Sequence, residues 1–174
     1  MLGTLHELGD GLRIGLRLTR PSDAPRVRAF FERLSPETRL KRFFTSMPNV
    51  DERTVHHFTF FNPRERLVIA ATAPESGIEE IVGLADIALV DTGVAELGIV
   101  VDDEHQGRGL GAALSEAAAS LAVSHGATHL KAELLDHNKA MLRLLERLGH
   151  TVQTVENGYV VAYARLPLRR RRAA

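Results

Sequence analysis

The residues best placed to do chemistry lie in the stretch "VAELGIVVDDEHQGRGLGAALSEAAASLA", which begins at Val94. Gly107, Gly109 and Gly111 alternate there, immediately before an alanine-rich segment. A helix starting at that point leaves its first N–H groups without intrahelical acceptors and carries the positive end of its dipole. Glycines bring those donors within reach of an anion, because no Cβ stands in the way. Upstream, Glu96 sets a carboxylate in the middle of an apolar run, a residue type suited to general-base catalysis. Asp86, in the preceding apolar run, and Glu133, further along, are the substitute carboxylates. The glycine pattern predicts a bound anion at the start of this helix.

Three phosphate loops compete for the glycines. A Walker A loop requires Lys-Ser/Thr after its last glycine, and neither residue is present. A dinucleotide loop fits Gly107-x-Gly109-x-x-Ala112, with Glu133 at a suitable distance for a ribose. That loop, however, follows its strand almost directly, whereas the polar residues Asp102 to Gln106 intervene here. The third pattern, Gln106-x-x-Gly109-x-Gly111, has no such conflict.

The elements that must position these groups can be read from periodicity and punctuation. "GLRIGLRLTRPSD" alternates like a strand and breaks at Pro21, with Ser22 or Asp23 as candidate cap of the helix "APRVRAFFERL". Ser35 and Pro36 open a second helix, and "VDERTVHHFTFF" a third, in which His56 and His57 are read as structural. "RLVIAAT", "EEIVGLADIALV" and "VAELGIVV" form a meander of strands. A helix from about Gly109 to His125 ends at Gly126, and "THLKAELL" is a further strand. "NKAMLRLLERLG" is a helix closed by Gly149, with Asn138 as N-cap. Two last strands flank the turn Asn157-Gly158.

From "GIVVDDEHQGRGLG" through "NKAMLRLLERLG" the chain resembles the GCN5-related N-acetyltransferase (GNAT) superfamily, and the element order agrees from Leu12 to Leu166. The resemblance implies an α+β fold: a mixed, mostly antiparallel central sheet of about six to seven strands, helices on both faces, and a splay between the fourth and fifth strands. It implies acetyl-CoA as co-substrate, its pyrophosphate held by Gln106, Gly107, Arg108, Gly109, Leu110, Gly111 and Ala112. The pantetheine arm would pair with Ile99, Val100 and Val101, with Asn138 and Met141 beside it. A backbone N–H of that strand would face the thioester carbonyl, where it stabilises a tetrahedral oxyanion. Glu96 would be the base, needed because a lysine amine is neutral in roughly one molecule in two thousand at pH 7. Many members carry a tyrosine seven residues after the asparagine, and this chain has Leu145 there.

"FFERLSPETRLKRFF", Phe30 to Phe44, is similar to the acceptor-side helices of bacterial Pat-type protein lysine acetyltransferases. The resemblance thus implies a protein lysine as acceptor. A small-molecule amine acetyltransferase is the alternative on the same fold and predicts an enclosed acidic pocket near Glu96. An acyl-CoA-binding sensor with little turnover is the alternative of another class.

Bulk properties bound these readings. The 174 residues, with 44% hydrophobic and 25% charged, suit one globular domain. Residues 1–10 are read as an N-terminal extension, 11–168 as the acetyltransferase domain and 169–174 as a basic tail. Without cysteine there is no disulfide, thiolate nucleophile or sulfur metal site, and His137 with His150 lacks a third ligand, so no metal is expected. Lys and Arg number 22 against 22 Asp and Glu, and four of the arginines sit in the tail, which leaves the body acidic and argues against nucleic acid. No apolar run is long enough to span a bilayer and no signal-peptide pattern opens the chain, so a cytoplasmic monomer or homodimer is expected.

Overall fold

The computed structural model describes all residues except Met1, Thr4, Asp10, 46–48, 76–77, 157–158 and 168–174. The expected Asn157-Gly158 turn and the arginine tail lie outside the described residues. The strands are β1 (Leu5–Glu7), β2 (Arg13–Leu18), β3 (Arg66–Glu75), β4 (Ile78–Asp91), β5 (Val94–Val101), β6 (His129–Leu134), β7 (Thr151–Glu156) and β8 (Tyr159–Arg165). The helices are α1 (Ala24–Arg33), α2 (Pro36–Phe43), α3 (Glu52–Thr59), α4 (Leu110–Ser124) and α5 (Lys139–Leu148). Among them no helix is long and apolar enough to cross a membrane.

All strands join one sheet in the order β1-β2-β3-β4-β5-β6-β8-β7, eight rather than the six to seven expected. The difference includes β1, which pairs Leu5 with Gly15 through Glu7 with Arg13. Every neighbouring pair is antiparallel except β5 and β6. That parallel pair holds only from Val94↔His129 to Glu96↔Lys131, after which the strands part. Meanwhile β5 stays paired to β4 as far as Gly83↔Val101. The second half of β5 therefore keeps one edge free, and Glu96 stands at the apex of the splay.

Period-two alternation divides the core between the two faces. Ile69, Ala85, Ile87, Ala95, Leu97 and Leu130 pack with Leu110, Leu114 and Ala118 of α4 and Leu145 of α5. On the other face Val68, Ala70, Leu84 and Val100 pack with Val27, Phe30 and Phe31 of α1 and Val55 and Phe58 of α3.

Local chemistry explains most helix ends. Ser35 accepts a hydrogen bond from the Thr38 N–H (3.2 Å) and Asp51 one from Thr54 (2.8 Å), as N-caps do. Asp23 does not cap α1 by its side chain. Its buried carboxylate accepts instead from Arg17 at 2.7 and 2.8 Å and from the Arg20 N–H at 2.9 Å. Gly149 ends α5 with an extended backbone (φ 168°), and the position is glycine because a Cβ there would stand 1.9 Å from the Arg165 carbonyl oxygen of β8.

Candidate active site

Two clefts meet at the splay, sharing Lys41, Arg42, Ile99, Asn138 and Met141. The first, of about 440 Å³, runs from the free half of β5 to the start of α4. Ile99, Val100, Val101, Gln106, Gly107, Gly109, Gly111, Ala112, Asn138 and Met141 all line it. Arg108, which is half-buried, and Leu110, whose side chain lies in the core, are not among its lining residues.

Its three glycines serve two purposes. Gly107 and Gly109 adopt φ +74° and +93°, conformations that L side chains rarely take, and open space surrounds their missing Cβ positions. Gly111 lies inside α4, where a Cβ would come 3.3 Å from Leu144 Cδ1, so it lets α5 pack closely. Ala113 donates to Gly109 O at 3.1 Å, and the amides of Leu110, Gly111 and Ala112 are first-turn donors without intrahelical acceptors. Arg143 and Arg147 of α5 and Lys41 add positive charge to the walls.

The polar residues before the loop bolt it to the helices beside it. Asp102 accepts from Arg33 Nε at 3.2 Å. Asp103 accepts from the Ser35 N–H and hydroxyl (2.9 and 2.7 Å) and from the Thr38 hydroxyl (2.7 Å). Partial burial opposes its charge, but these donors outweigh burial and hold Asp103 below the usual carboxylate range. The Gln106 amide donates to Thr38 Oγ1 and to Val101 O, both at 3.1 Å. The Gln106 side chain is thus committed to holding the loop against β5 and α2. Asn138 accepts from the Met141 N–H at 3.2 Å, the N-cap geometry expected of it.

A second cleft, of about 480 Å³, opens between α2, α3 and strands β3 to β6. Glu96 lines it with its side chain partly exposed, and Lys131 Nζ lies 3.8 Å from Glu96 Oε2 and 2.8 Å from Glu133 Oε1. The Glu133 hydrogen bond holds Lys131 protonated above its ordinary range, with Glu96 adding to the effect. The charged lining, Lys41, Arg42, Arg53 and Arg66 against Asp51, Asp86, Glu96 and Glu133, is balanced rather than acidic.

Asp86 is the best-partnered group in this cleft. Cross-strand from Gly98, it accepts from Arg66 at 2.5 and 2.6 Å, from Arg42 at 3.2 Å, and contacts His57 Nε2 at 3.1 Å. Burial would raise its pKa, but the His57 bond and the two guanidiniums overcome it and hold the carboxylate low. A carboxylate kept ionised by two arginines is a poor proton acceptor, which leaves Glu96 ahead of its substitute. The histidine pair divides: His56 stacks on Phe60 at 4.6 Å, while His57 faces the cleft. Sequence reading missed Arg42, Arg66 and His57, which come from three separate elements. The available signal was Asp86 itself, since an acid inside an apolar strand needs partners when buried. Leu145, at the position of the usual tyrosine, is fully buried in the α4 and α5 core. Among the described residues no group of three or more His, Asp or Glu side chains is placed to hold a metal.

Comparison with known proteins agrees with this geometry. Residues 26–150 match the family model described as "Acetyltransferase (GNAT) family". The acetyltransferase PA5475 of Pseudomonas aeruginosa is 27% identical over 150 residues, covering 86% of this chain and 81% of that protein. The crystal structure of the GNAT domain of S. lividans PAT superposes with TM-score 0.84 at 30% identity, covering 94% of this chain and 96% of that one. The fold is shared with yncA, a putative acetyltransferase from Salmonella typhimurium solved with acetyl-CoA: TM-score 0.67, 19% identity, 92% and 96% coverage.

Proposed function

The chain belongs to the acetyltransferase (GNAT) family, and from that premise we propose that it moves an acetyl group from acetyl-CoA to the ε-amine of a protein lysine. The observation that carries the reading is the meeting of the two clefts at Ile99, Asn138 and Met141, beside Glu96. The glycine-lined groove suits a pyrophosphate: left-handed glycines, first-turn amides and the cations of α5 converge on it. The free edge of β5 suits the amide groups of a pantetheine arm, which would bring the thioester to the junction.

An amine entering the second cleft meets Glu96, which takes a proton and frees the nitrogen lone pair for attack. An unpaired β5 N–H at the junction stabilises the oxyanion as the C–N bond forms. The C–S bond then breaks, and coenzyme A leaves as a thiolate. With Leu145 in the core, that position offers no acid. A thiol whose ordinary pKa is about 8.5 departs readily without one.

Two features favour a protein acceptor over a small cationic amine. The lining of the acceptor cleft is balanced, whereas a site for a free polyamine or similar cation is expected to be acidic. The "FFERLSPETRLKRFF" segment that resembles Pat-type enzymes forms the end of α1 and all of α2, with Lys41 to Phe44 in the cleft wall, and the S. lividans PAT domain shares the fold. The test is thiol release from acetyl-CoA with purified protein against lysine-bearing proteins, lysine peptides and small amines, with intact-mass detection of the product. Acetylated protein lysine is the expected result. Turnover with small amines alone replaces the acceptor class, and acetyl-CoA binding without turnover on any amine replaces the enzyme with a sensor.

A further inference from the structure

Acetylation of an ammonium has a proton problem that one carboxylate does not solve. The nitrogen must lose one proton to become a nucleophile and another when the tetrahedral adduct collapses to the amide. A lone acceptor must release the first before it can take the second.

The acceptor cleft holds another group suited to the task. His57, on α3, lines the same cavity as Glu96, and its side chain is half exposed. Its Nε2 lies 3.1 Å from Asp86 Oδ2. Asp86 is kept ionised by Arg66 and Arg42, and an ionised carboxylate only accepts hydrogen bonds. The contact therefore requires a proton on Nε2. In a neutral ring this leaves the lone pair on Nδ1, which has no hydrogen-bond partner among the described residues. The neighbours of the ring are Phe58 beside it, with Arg42 on α2, Arg53 on α3, Arg66 on β3, Asp86 on β4 and Glu96 on β5 in the same cleft. Asp86 thus performs for this ring the orienting role that a buried carboxylate performs in a catalytic His–Asp pair.

We propose that His57, its tautomer fixed by Asp86, is a second proton acceptor for the incoming amine, working alongside Glu96. One N–H bond of the amine breaks toward Glu96 and the other toward His57 Nδ1. The lone pairs released form the C–N bond and then expel coenzyme A as a thiolate. Water relays the Glu96 proton to the departed thiolate, and the exposed edge of the imidazolium returns the other to solvent, so that both acceptors are free again. This inference rests on the acetyl-transfer reading.

Two measurements decide it. Long-range ¹H–¹⁵N NMR on the unmodified protein reads the tautomer directly, and it does so whether or not any variant folds. The expected state is Nε2–H, and an Nδ1–H ring overturns the proposal. In kinetics, H57Q retains an amide able to donate to Asp86 but cannot accept a proton as imidazole does. It is expected to lower kcat by about 10²-fold with acetyl-CoA affinity unchanged. Added imidazole is expected to restore part of the activity of H57A and none of that of E96A. An H57Q enzyme at the wild-type rate and pH profile overturns His57 as acceptor while leaving acetyl transfer intact. Wild-type protein that binds acetyl-CoA but acetylates no amine overturns both.

Discussion

Arg42 occupies the space that a side chain on Gly98 would need: a Cβ at Gly98 would stand 2.5 Å from Arg42 Cζ and Nη2. Gly98 is the cross-strand partner of Asp86, to which Arg42 donates at 3.2 Å. The bare backbone of β5 thus admits a buried guanidinium from α2 into the floor where the two clefts meet. Phe43 and Phe58 lie within 5.3 and 5.7 Å of the same cation and enclose it further.

Substituting Gly98→Ala should therefore displace Arg42 and weaken the whole cluster. Chemical denaturation is expected to show a loss of about 1–3 kcal/mol, the range for overpacking a filled site. The double variant G98A/R42A removes the clash along with the cation. Its loss should fall short of the sum of the two single losses, and strict additivity would contradict the contact.

Acid stability should report Asp86. Its folded pKa lies below its unfolded value, so its contribution is complete above about pH 4 and disappears as pH falls through the folded value. Wild-type stability contributed by this group is then flat from pH 7 to about pH 5 and falls below about pH 4. D86N leaves Arg42 and Arg66 without their carboxylate, an expected cost of about 3–5 kcal/mol at neutral pH, and makes the acid limb shallower. Part of that limb should survive through Asp23, which is lowered in the same sense by the Arg17 pair despite its burial. Urea midpoints across pH check both statements.

The two kinds of glycine in the loop should separate in calorimetry. Gly109→Glu forces a non-glycine residue to φ +93° and sets a carboxylate where an anion is expected, so acetyl-CoA affinity should fall at least about tenfold. Gly111→Ala presses only on Leu144, whose flexible end can shift, and should leave affinity unchanged. Equal affinities for G109E and wild type would remove the phosphate cradle.

Glu96→Gln should lower kcat by about 10²-fold or more while leaving acetyl-CoA affinity unaltered. Lys131 and Glu133 lie beside Glu96 and remain in place, so folding stability should change little. Full activity in E96Q across pH would end its assignment as base.

Restoring the usual tyrosine should fail. Leu145 has no exposed surface, so L145Y adds a ring and a hydroxyl to a packed core. A loss of about 1–3 kcal/mol without any gain in turnover is expected from thermal melts and steady-state rates.

What the sequence determined by itself is local. The glycine spacing, the caps Ser35 and Asn138, and the apolar, β-branched composition that marks β3 to β5 depend on residues close together in the chain. Each such signal is set by backbone geometry, which a few neighbouring side chains reveal. Tertiary structure decided what distant residues do to one another. The pairing of β5 with β6 stops at Glu96 and Lys131, which makes a carboxylate in an apolar run the apex of an opening. Arg42, His57, Arg66 and Asp86 come together from α2, α3, β3 and β4, and no spacing along the chain encodes that meeting. A buried carboxylate must find partners to offset its lost hydration, but which partners it finds depends on how the chain folds back on itself.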